Sequence, residues 1–198
     1  MPPVRLVISQ EIASSGFYRS VQPLVSSLKN PSATVRLNTT EGLMKLIDAE
    51  ENMEILSKVL KTVLPELIEA LNDSNINVKI NVIQILAVMR SDAKEAVPVL
   101  AKLLKGSDSR IKLNVAVALS EIGPDAKEAV TELVEALNDN DSKVVLQVIE
   151  ALGSIGPDAK VAVPALNKIV TDRTLDLGNE ALIALSKINV MPASGYKA

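Results

Sequence analysis

A chain of 198 residues with no histidine, cysteine or tryptophan and a formal net charge of −3 excludes several functions at the outset. Without imidazole or thiol there is no His-based acid–base catalysis, no commonest transition-metal ligand, no thiolate site and no disulfide. The Lys and Arg residues are scattered, with no basic stripe to neutralise phosphates, so no nucleic-acid partner is expected.

The N-terminal stretch Val4 to Gly16 reads as a single helix covering the N-terminal end of the core, with Ser, Gln and Glu interrupting any secretory signal. The longest near-continuous apolar run, Val82 to Met89, is too short to span a bilayer. No membrane is therefore expected as partner, and the default location is cytoplasmic. Phe17 and Tyr18 carry nearly all the aromatic surface, with Tyr196 in a tail that reads as flexible. The expected role of Phe17 and Tyr18 is to plug that same end of the core, the other reading being a small binding anchor.

From Leu64 onward the chain repeats with a period of 33 residues: Leu64, Val97, Val130 and Val163 fall on one grid, as do Leu67, Leu100, Leu133 and Leu166. Pro65, Pro98 and Pro164 share it, with Thr131 at the missing step, and GPDAK occurs at Gly123 and again at Gly156. A second set of columns runs through Val78, Ile111, Val144 and Leu177, then Leu86, Leu119, Leu152 and Leu185. An earlier unit places Val35 and Leu43 in that second set, but an insertion near residues 48–61 sets it off the grid.

Each unit reads as helix, short turn, helix. Asp92 with Glu95, and Asp125 with Glu128, have capping-box spacing for the first helix. Pro98 should kink that helix, NDSNIN and NDNDSK mark the turns, and Gly123 should stop the second helix. The boundaries are one solenoid over 1–190, with repeats at about 20–48, 62–91, 92–124, 125–157 and 158–190 and a tail at 191–198.

The unit AVPVLAKLLKGSDSRIKLNVAVALSEIGPDAKE and its neighbours resemble HEAT repeats, most closely the short variety named after the phycobilisome lyases. The resemblance implies an all-α, right-handed α-solenoid of about five two-helix repeats plus an N-terminal helix, with second helices on the concave side. It also implies an Asp in the turn and a basic residue early in the second helix. Asp73 with Lys79 fit that pattern and Arg36 and Lys112 fit the basic position; Asn30 and Gly106 replace the Asp, and Val145 and Gly178 the basic residue.

At about 100° per residue, the second helices place Leu37, Ile80, Leu113, Leu146 and Asn179 nearly opposite the core. Beside them lie Asn38, Asn81, Asn114, Gln147 and Glu180, then Glu41, Gln84, Val117, Glu150 and Ile183. One reading is a concave strip that grips a peptide, the aliphatic side chains giving apolar contact and the amides bonding its backbone. The other is that these rows pack between repeats and bridge adjacent helices.

No catalytic, cofactor or metal residue is expected. NDNDSK with Glu150 has the spacing of a calcium loop, but Lys143 stands at a ligand position and Val144 where glycine is needed. The expected function is a non-catalytic scaffold binding a protein or peptide partner, with self-association through apolar ends as a further route. The alternative is a non-catalytic subunit of a modifying or bilin-lyase-type enzyme.

Overall fold

The computed structural model describes residues 14–106, 108–171 and 176–189. The N-terminal helix expected at Val4 and the C-terminal tail lie outside them.

Among the described residues five helix pairs succeed one another: α1 (Gly16–Ser27) with α2 (Ala33–Ala49), α3 (Met53–Ala70) with α4 (Ile76–Met89), α5 (Val97–Leu103) with α6 (Ser109–Ile122), α7 (Val130–Ala136) with α8 (Ser142–Ile155), and α9 (Val163–Thr171) with α10 (Gly178–Ile188). Each second helix contacts its own first helix and the second helices of adjacent units, and α1 also meets α3, as α5 meets α7. The result is a two-layered α-solenoid, as the repeat grid requires: a lone pair cannot bury its apolar stripe, so neighbours must.

The second-helix core columns behave as the periodicity predicts. Val78, Val82 and Leu86 in α4, and Val144, Val148 and Leu152 in α8, are fully buried. Ile111 in the same column is half-buried, and Val35 is 38% exposed, since the core position in α2 passes one turn on to buried Thr39. Phe17 is buried and Tyr18 half-buried against the core, where they fill the N-terminal end of the described stack.

Capping falls elsewhere than the sequence suggested. The Asp92 and Asp125 segments form no capped α-helix; they lie in 3-10 stretches, Arg90–Ala96 and Gly123–Ala129, without a side-chain cap. A third such stretch spans Gly156–Ala162. These elbows bury Ala93, Ala96, Ala126, Ala129, Ala159 and Ala162, and their small side chains let the tight turn pack against the helices beneath. Pro98 then sits in the first turn of α5, where its missing amide costs nothing. Side-chain caps sit instead at Asn75, Asp108 and Asp141, which accept backbone N–H groups at the start of α4, α6 and α8, and at Ser15 and Asn52, which do the same for α1 and α3.

The insertion has a structural meaning. Where later units turn through an elbow, α2 and α3 run to 17 and 18 residues and α3 is continuous through Pro65, leaving the Lys61 carbonyl without its amide donor.

The second helices of later units end on a residue with positive φ, Gly123 at 70° and Gly156 at 75°. Arg90 holds the same grid position at φ 51° and ψ −132°. Any Cβ is strained there, at a cost on the order of 1–3 kcal/mol.

A candidate partner-binding face

The second-helix layer separates the eleven candidate residues into three groups. Leu37, Leu113 and Leu146 are half-buried and pack against the core; Ile80 is also half-buried. Asn81, Gln84 and Asn114 are tied up in bridges. Asn81 Nδ2 donates to the Thr40 hydroxyl at 2.9 Å, linking α4 to α2, and Gln84 Nε2 donates to Asn114 Oδ1 at 3.1 Å, linking α4 to α6. The Asn114 amide also donates to the Arg110 carbonyl. One step along, the Ser120 and Ser154 hydroxyls join α6 to α8 at 2.9 Å.

Asn38, Val117, Gln147 and Glu150 form the third group. Asn38, Val117 and Glu150 are exposed and Gln147 half-buried, and among the described residues neither Asn38 nor Gln147 makes a side-chain hydrogen bond. These four, with exposed Glu41 and Ile183, mark the open ridge of the layer. The outward row therefore lies about one residue step away from the leucines, because neighbouring second helices cover more of each helix than a lone helical wheel suggests. Near its C-terminal end a groove of about 280 Å³ is lined by Glu150, Gly153, Glu180, Ile183 and Lys187.

The edge formed by the turns is polar and ionic. The Arg36 guanidinium of the first unit forks onto Asp73 of the second, with Nη2 to Oδ1 at 2.9 Å, and its Nη1 donates to the Asn30 and Pro31 carbonyls. Lys112 of the third unit reaches Asp139 of the fourth at 2.7 Å. Asp73 and Asp139 also accept the amides of Asn75 and Asp141, which fixes their turns. The rung between the second and third units is missing: Lys79 faces a turn with Gly106 in place of Asp, and it forms no ion pair among the described residues.

The Arg36 hydrogen bond holds the Asp73 carboxyl below the usual carboxylate range, and the Lys112 bond does the same for Asp139. At Asp92, burial opposes ionisation but is outweighed by bonds from Lys61 and Ser57, so its pKa is also lowered. Asp139 and Asp141 thus have work other than a calcium loop, one as a rung and the other as the cap of α8.

One part of the surface could have been found in the sequence and was missed. The 33-residue grid sets Arg90 in the column of Gly123 and Gly156, and the insertion brings Met53 beside it. Met53 and Val88 are 65% and 45% exposed.

The family described as HEAT repeats matches residues 64–153 of this chain. No curated protein sequence matches. Among solved structures, an engineered protein from a structural genomics consortium is 25% identical, with a TM-score of 0.71, covering 90% of this chain and 86% of that one. A designed armadillo repeat protein in complex with the peptide (KR)4 is 22% identical, with a TM-score of 0.72 over 90% of this chain and 89% of that one. The complex of CpcE and CpcF of phycocyanin lyase from Nostoc sp. PCC7120 is 15% identical, with a TM-score of 0.59 over 84% of this chain and 98% of that one. The last two likenesses are of fold alone.

Proposed function

We propose that this chain is a non-catalytic interaction scaffold that holds a segment of a partner protein along the open ridge of its second helices. The observation that carries this reading is the division of labour in that layer. Bridging and packing residues fix the helices, while Asn38 of the first unit, Val117 of the third and Gln147 and Glu150 of the fourth remain free. Amide side chains with unused donors and acceptors suit a peptide backbone, and Val117 supplies apolar contact.

The acidic groups support binding over catalysis. Every carboxylate with a displaced pKa among the described residues (Glu54, Asp73, Asp92, Asp108 and Asp139) is lowered, chiefly through cationic or hydrogen-bonding neighbours. General acid–base work calls for carboxyls driven apart, one of them upward.

Photo-crosslinking tests the proposal. A crosslinking side chain at Val117 or Gln147 is expected to capture one partner from extracts of the cells that make the protein. The same group at Glu95 or Glu128, exposed on the first-helix elbows, is expected to capture nothing. Capture from the elbows, or from neither surface, contradicts the reading; a captured species carrying a visible pigment points instead to a lyase-type assembly.

A further inference from the structure

The junction that breaks the grid leaves a second surface, independent of the ridge. Met53, Ala87, Val88, Arg90 and Glu121 line a cleft of about 430 Å³. Its floor is apolar: Met53 and Val88 are among the most exposed large aliphatic side chains described, and Ala87 is half-buried between them and the core. Its rim is Arg90, whose side chain is 74% exposed.

Arg90 is a costly choice for this place. Its backbone adopts a conformation that L side chains rarely enter, and the equivalent positions in the next two units are glycine. What arginine adds is a guanidinium. Glu121 stands 3.5 Å from Nε, a contact that orients the group but leaves its outer donors open to solvent. An arginine fork beside an aliphatic floor matches a carboxylate next to an aliphatic side chain. Methionine adds a deformable wall that adapts to different aliphatic shapes.

We infer that this cleft docks an acidic peptide segment, with an Asp or Glu paired to Arg90 and a neighbouring Leu, Ile or Val seated on Met53 and Val88. The strained backbone at Arg90 is retained because the glycine that would relieve it cannot supply the charge.

The test uses the full chain labelled at its methionine methyl groups and two pools of blocked nonapeptides, one placing Asp or Glu beside Leu, the other Lys or Arg beside Leu. The acidic pool is expected to shift the Met53 methyl resonance and the basic pool to leave it in place. Arg90→Gly is expected to weaken binding by about tenfold or more while raising the melting temperature. Arg90→Lys, which keeps charge and strain but loses the fork, should fall between. A Met53 response to the basic pool, no response to either, or full binding by Arg90→Gly overturns the inference. None of these outcomes depends on whether Val117 and Gln147 meet a partner, so the cleft and the ridge fail or stand separately.

Discussion

Between the first and second units, Arg36 of α2 forks onto Asp73 in the turn before α4 and Asn81 of α4 bonds Thr40 of α2, with exposed Lys29 and Glu69 paired at 2.7 Å nearby. Between the fourth and fifth, α8 meets α10 so closely that a Cβ on Gly153 would lie 3.1 Å from the Ala184 backbone, and the alanine elbow Gly156–Ala162 closes over the contact. The first junction is specified by charge and direction, the second by volume. In one architecture the same task is met in two ways, and each is open to a different disturbance.

The largest expected effect falls on the volume-limited junction. Gly153→Val puts atoms where Ala184 leaves no room, and the preceding units show the contrast, since the same grid position holds Ala87 and Ser120. We expect a loss of about 1–3 kcal/mol in denaturant unfolding, with the last unit opening first in hydrogen exchange. An unchanged midpoint would mean that α8 and α10 are not in such close contact.

Next comes the ionic junction. Asp73→Asn removes the charge facing Arg36, whose guanidinium is mostly covered, and should lower the melting temperature by about 4 °C. Because the folded-state carboxyls of Asp73 and Asp139 titrate below their unfolded values, their stabilisation is present above about pH 4 and disappears as the pH falls through the lower folded values. Acid unfolding monitored by circular dichroism should therefore steepen below that range, and Asp73→Asn should remove part of the dependence.

The smallest effect sits where the two styles meet. Arg90→Gly relieves the positive-φ strain and gives up only an exposed contact with Glu121, so a gain of about 1 kcal/mol is expected in urea unfolding. A loss would mean that the guanidinium supports the fold itself.

The repeat, its period, the buried columns and the glycine stops could all be read from the sequence, because stacking forces equivalent residues into equivalent burial. The insertion was visible as a break in the grid, but its consequence was not: replacing an elbow by longer helices depends on how Ala93 and its counterparts pack, which spacing does not encode. The site was legible in part. A helical wheel places Leu113 and Asn114 outward, yet neighbouring second helices cover Leu113 and engage Asn114 with Gln84. Only contacts across 30 to 41 residues of sequence separate the bridging amides from the free ones.

The contrast between the junctions is tested most directly by residue-resolved hydrogen exchange of the intact chain at neutral pH and at about pH 3, below the ordinary carboxylate value. Acidification should strip protection from 33–49 first, while 178–188 keeps its own, because the glycine and alanine packing that holds it against the fourth unit does not titrate. Uniform loss of protection, or earlier opening of the last unit in acid, would contradict a first unit held by charge and a last one held by volume.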